Sequence, residues 1–104
     1  TAANKITIGK GVNILPQVLI TDIEHDHVLN LSAMETGIKV GSVIIEDYAF
    51  VGMGAKIMGS KGLRIGKNSV IGANAVVTKD IPEGMIVAGI PAKVIGRVPD
   101  KEIA

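Results

Sequence analysis

Aliphatic side chains recur along this chain every six residues. Ile8, Ile14 and Ile20 form one phased trio, Ile45, Val51 and Ile57 a second, and Ile65, Ile71 and Val77 a third. Glycine follows the aliphatic at Gly9, Gly52, Gly66 and Gly72. Four residues on stands another apolar or small side chain, as at Val12, Val18, Ala49, Ala55, Ser69, Ala75 and Ile81. Six is neither the period of a helix nor the simple alternation of a long strand. It fits a short extended segment, a corner, and the next short segment. Three such segments close a triangular coil, and stacked coils bury the aliphatic position in a narrow prism. The pattern predicts an all-β fold, a left-handed parallel β-helix of hexapeptide repeats, which departs from the usual right-handed crossover. The phased Ile and Val residues read as core and nothing more.

Two breaks in phase qualify that picture. Between Ile20 and Ile45 the register slips, which predicts a loop projecting from the prism over residues 22–42. Between Ile57 and Ile65 the step lengthens to eight, so Gly59, Ser60, Lys61 and Gly62 are expected to bulge at a corner. After Val77 the repeat decays through Asp80, Ile81, Pro82, Glu83 and Gly84, a turn-forming cluster. Residues 91–104 read as a short C-terminal cap leaving the prism, with Asp100 placed to cap a terminal helical turn. About three coils result, close to the minimum for a solenoid. Residues 1–104 therefore read as a single β-helix domain, expected to be the C-terminal part of a longer enzyme.

Composition agrees. Ile and Val supply 28 residues and Leu five, and the aromatics are Tyr48 and Phe50 alone. Branched aliphatics suit pleated strands, and a narrow bore has no room for rings. Eleven basic and ten acidic side chains leave a charge of +1, no footprint for nucleic acid or an anionic membrane. Charges interrupt every apolar run well short of a membrane span, and no signal-peptide pattern opens the sequence, so a cytoplasmic setting is expected. Without cysteine there is no thiolate zinc site and no cysteine nucleophile.

The stretch Ile65–Ile95, IGKNSVIGANAVVTKDIPEGMIVAGIPAKVI, resembles the C-terminal end of the hexapeptide-repeat acyltransferases. It is most similar to their sugar and polysaccharide O-acetyltransferases, the galactoside, maltose and capsule or colanic-acid type. Ile6–His27, ITIGKGVNILPQVLITDIEHDH, resembles the coil and loop that bear the catalytic histidine of that family. The resemblance implies a homotrimer using acetyl-CoA as cosubstrate, with active sites in the clefts between subunits and a small-molecule or glycan acceptor. His25 falls on the family's general base. Met53 falls on the position whose backbone N–H faces the thioester oxygen. Ala73 and Thr78 fall on positions lining the pantetheine, and Lys93 on a basic position near the nucleotide phosphates. A second basic position falls on Gly96, with Arg97 adjacent. The family's acceptor-binding residues would fall at or before Thr1.

The residues themselves fit that chemistry. Moving an acetyl group from a thioester to a hydroxyl needs a base, donors for the developing oxyanion, and alignment of both substrates. Neutral histidine suits the first task, because it titrates near working pH. Asp22, Glu24, Asp26 or a loop carbonyl could hold its other ring nitrogen. His27 reads as a neighbour of the base. Lys79, Lys93 and Arg97 form a basic group near the C-terminal end that could neutralise the phosphates of coenzyme A. No metal is expected: a β-helix zinc hydratase needs three histidines, and this chain has two. Two alternatives stand beside O-acetyl transfer. One is an N-acetyltransferase for amino-sugar nucleotides, whose base also sits in a run like IEHD; the other is a non-catalytic trimeric β-helix.

Overall fold

A computed structural model describes residues 6–21, 42–59 and 62–102. The first coil contains β1 (Ile6–Ile8), β2 (Asn13–Ile14) and β3 (Leu19–Thr21). The second contains β4 (Val43–Ile45), β5 (Phe50–Val51) and β6 (Lys56–Met58), and the third β7 (Leu63–Ile65), β8 (Val70–Ile71) and β9 (Val76–Val77). Then follow β10 (Met85–Ala88), β11 (Lys93–Arg97) and one 3-10 turn, Asp100–Glu102. Strands three apart in sequence pair in parallel, giving sheets β1-β4-β7, β2-β5-β8 and β3-β6-β9; β10 and then β11 extend the second. Three parallel sheets wound in this order form a three-faced coil, consistent with the left-handed β-helix.

The six-residue period becomes a register. Ile8, Ile45 and Ile65 stand opposite one another in the first sheet, Ile14, Val51 and Ile71 in the second, and Ile20, Ile57 and Val77 in the third. In the second and third coils all six of these side chains are fully buried. Ala49, Ala55, Ser69 and Ala75, four residues after an aliphatic, are buried at the corners. The Ser69 hydroxyl satisfies itself by donating to the Gly66 carbonyl at 2.6 Å.

Two expectations need correction. Ile8 and Ile14 are 49% and 37% exposed, so phase alone does not make a residue core. Each inward side chain needs a coil stacked on both sides, and among the described residues the first coil has a neighbour on one side only. Nor does the repeat decay after Val77. Ile81 is buried and bridges Ile65, while β10 adds to β8 with Val87 opposite Ile71 and fully buried. A fourth, partial coil thus follows, reached by a step of four residues instead of six.

The corners explain the glycines. A Cβ on Gly52 would lie 2.7 Å from the Ala73 nitrogen and 2.8 Å from the Ile71 carbonyl oxygen, backbone of the next coil that cannot give way. At the centre of each turn the chain adopts a left-handed conformation, at Gly11, Tyr48, Asn68 and Gly84 on one corner and Gln17, Gly54, Asn74 and Gly89 on the next. At the expected bulge the Gly62 N–H donates to the Gly59 carbonyl at 3.0 Å, while Ser60 and Lys61 lie outside the described residues. After Gly89 the chain reverses, and β11 runs antiparallel to β10. Among the described residues no helix is long and apolar enough to cross a membrane.

Candidate functional site

Three places in the coil hold the residues singled out from sequence. The corner between the second and third sheets carries Met53 and Ala73, each two residues after a buried aliphatic. Ladder bonds run down this corner: the Gly54 N–H donates to the Pro16 carbonyl at 3.1 Å, and the Asn74 N–H to the Met53 carbonyl at 2.9 Å. The Met53 and Ala73 N–H groups take no part in that ladder, and neither has a hydrogen-bond partner among the described residues. Both residues are exposed. Two successive coils therefore leave backbone donors on one corner, spaced by the strand separation of about 4.8 Å.

The corner between the third and first sheets carries Thr78 and Lys79, both exposed. Two coils earlier, the same corner falls between Thr21 and Ser42. His25 and His27 belong to the intervening segment and lie outside the described residues, as do the acidic residues beside them. Most of the projecting loop expected at 22–42 falls there too.

The third place is β11. Lys93 stands opposite Ala88 and Arg97 opposite Met85, at the two ends of the strand. The Ala92 N–H donates to the Val76 carbonyl at 2.8 Å, and Ala88, the partner of Lys93, lies against Gly72, which seats the Lys93 end at the corner between the second and third sheets, the one that carries Met53 and Ala73. Arg97 lies four residues further, roughly 13 Å along an extended strand. The fold thus brings the Lys93 end of β11 to the corner of Met53 and Ala73, sets Thr78 and Lys79 beyond the far end of β9, and holds Arg97 apart.

A shallow groove of about 430 Å³ lies elsewhere, on the first sheet, lined by Thr7, Ile44, Glu46, Lys67 and Glu83 among others. Glu46 is ion-paired with Arg64 on the same sheet. None of the candidate catalytic or coenzyme-binding residues lines this groove. Among the described residues no cluster of three or more His, Cys, Asp or Glu side chains could hold a metal ion. Sequence reasoning left Asp80 in a turn cluster, yet its Oδ1 accepts the Arg64 N–H at 2.9 Å. The available signal was the shortened step between Val77 and Ile81.

Comparison with solved structures gives this geometry a context. A galactoside acetyltransferase in complex with coenzyme A superposes with a TM-score of 0.80 over 93% of this chain and 47% of its own, at 34% identity. A hexapeptide-repeat acetyltransferase of Vibrio cholerae, complexed with acetyl coenzyme A, matches 91% of this chain and 61% of its own at 25% identity and a TM-score of 0.69. The fold is that of the hexapeptide-repeat acetyltransferases. Sequence relatives agree. A Schizosaccharomyces pombe protein named as an acetyltransferase is 43% identical over 94 residues, 89% of this chain and 44% of its own length. A 2,3,4,5-tetrahydropyridine-2,6-dicarboxylate N-acetyltransferase of Staphylococcus aureus is 51% identical over 53 residues, 51% of this chain and 21% of its own. The chain spans less than half the length of these curated relatives. No protein-family model matches it.

Proposed function

We propose that the chain is the coenzyme-binding coil of an acetyl-CoA-dependent acetyltransferase that acetylates a hydroxyl of a sugar or glycan. The observation that carries this reading is the likeness, over nearly the whole chain, to a galactoside acetyltransferase holding coenzyme A. In this mechanism the loop at 22–42 brings His25 to the acceptor. The imidazole takes the hydroxyl proton, the oxygen attacks the thioester carbonyl, and the oxyanion is met by the Met53 N–H. Collapse expels the coenzyme thiolate, which takes up a proton, and no acyl-enzyme forms. Ala73 and Thr78 line the pantetheine arm, while Lys79 and Lys93 face the phosphates. Arg97 is a more distant basic residue, and residues 91–104 close the end of the prism.

Met53 with Ala73, and Thr78 with Lys79, sit on different corners of one prism, with the third sheet between them. A single ligand reaching both sets is most simply held between two prisms, one corner from each. That supports a homotrimer with the site in the intersubunit cleft. Light scattering on the full chain should report a trimer, and a monomer throughout the micromolar range would contradict it.

The reading is tested by incubating the full chain with acetyl-CoA and galactoside or maltose acceptors and following release of the free thiol. Thiol release that depends on the acceptor supports it; no release with any sugar acceptor counts against it. Lys93→Ala should weaken coenzyme A binding by about 1 kcal/mol, the contribution of a partly exposed charge-assisted bond. Unchanged affinity would move the phosphates away from Lys93. The 51% identity to an N-acetyltransferase favours a second reading, transfer to an amino group. Product chemistry separates the two, because hydroxylamine cleaves an acetyl ester and spares an amide.

A further inference from the structure

We propose that Asp80 is a positioning residue for coenzyme binding, its carboxylate replacing a missing main-chain acceptor so that Thr78 and Lys79 can leave the sheet. The inference rests on the reading above, in which those two residues lie against the coenzyme. The first sheet passes to the fourth coil through Ile81 alone. The Ile81 N–H donates to the Arg64 carbonyl at 2.9 Å, and the Gly66 N–H to the Ile81 carbonyl at 2.8 Å. Bonds in a parallel ladder are evenly spaced. An unbroken ladder would therefore send the Arg64 N–H to the carbonyl of residue 79. It goes instead to Asp80 Oδ1 at 2.9 Å.

The consequence for Lys79 is direct. Val43 pairs with Leu63 and Ile65 with Ile81, so a continued strand would set Lys79 opposite Leu63. That column is core: Val43 is fully buried and Leu63 is 4% exposed. An ammonium could not be accommodated there without a partner. Lys79 is in fact exposed, and so is Thr78. Both ends of the turn are anchored, Val77 against Ile57 and Ile81 against Ile65. Three residues remain to make the corner, and pinning the third fixes the other two. Asp47 makes the same kind of bond at a different corner, where its Oδ1 accepts the Lys10 N–H at 2.8 Å, with none of the proposed coenzyme contacts beside it. It serves as a built-in control for a purely structural clamp.

The experiment compares Asp80→Ala, Asp80→Asn, Asp80→Glu and Asp47→Ala in the full chain, reading coenzyme A affinity by calorimetry and the thermal midpoint in parallel. Asp80→Ala should weaken coenzyme A binding about tenfold, the loss expected for one charge-assisted bond and the order it imposes. Asp47→Ala should lower the midpoint comparably and leave affinity unchanged. Asp80→Asn keeps an acceptor oxygen and should bind within twofold of the parent, on the order of a preserved neutral bond. Asp80→Glu retains the charge but lengthens the arm, so it should fold and still bind weakly; it decides the matter if Asp80→Ala does not fold. Parent-like affinity in a folded Asp80→Ala or Asp80→Glu chain overturns the inference alone. A parent chain that binds no coenzyme A overturns the proposed function, and this inference with it.

Discussion

Replacing His25 with Ala in the full chain is expected to lower turnover by a factor on the order of 10² to 10⁴, the usual contribution of a positioned general base. Coenzyme A affinity should hardly change, because in the proposed mechanism the imidazole touches the acceptor and not the cofactor. His27→Ala should have a much smaller effect on turnover. The parent rate should rise with pH through a single ionisation in the histidine range, since only neutral imidazole can take the proton. Steady-state kinetics with separate titration of coenzyme A decide between the outcomes. A larger loss from His27→Ala would shift the assignment by two residues, and equal losses in affinity and turnover would point to a structural role for His25.

Ile65→Ala is expected to produce the largest loss of stability, about 2–5 kcal/mol. Ile65 is fully buried, with Ile45 stacked on one side and Ile81 on the other. Deleting its branched arm leaves a void that the fixed spacing between coils cannot collapse to fill. Such a loss is a large share of the roughly 5–15 kcal/mol that holds an ordinary domain folded. Ile8→Ala, in phase with Ile65 but half exposed, should cost roughly 0.5–1 kcal/mol, since little area leaves water there. Denaturant melts of both variants test the register directly. Equal effects at the two positions would mean that the first coil is packed like the third.

That pair also marks how far the sequence could be read. The columns through Ile45, Val51, Ile57, Ile65, Ile71 and Val77 were legible because each side chain in a narrow prism must be aliphatic, and the period survives any local detail. Burial of Ile8 and Ile14 was not legible, because it depends on a neighbouring coil and not on the residue's own phase. Ile81 was misplaced for a related reason. The step from Val77 shortens to four, which put Ile81 in the small-residue position of the pattern and its neighbours into a turn. Only the bridge to Ile65 returns it to the core.

Candidate site residues divide in the same way. Met53 and Ala73 share a corner because the six-residue phase dictates it, so their juxtaposition followed from sequence. Lys93 reaches the corner of Ala73 only because the chain reverses after Gly89 and Ala92 bonds to Val76, a contact that spans 16 residues and leaves no local signature. The bond from Arg64 to Asp80 is hidden for the same reason. Residue identity at both ends is unremarkable, and the interaction exists only once the coils are stacked.

Calorimetric titration of coenzyme A into the full chain tests the central claim most directly. The account predicts saturable binding at one site per chain, with Lys93→Ala and Asp80→Ala each weakening it and Asp47→Ala leaving it intact. Absence of any binding heat up to millimolar coenzyme A would contradict it and leave the coil as a scaffold without a coenzyme site.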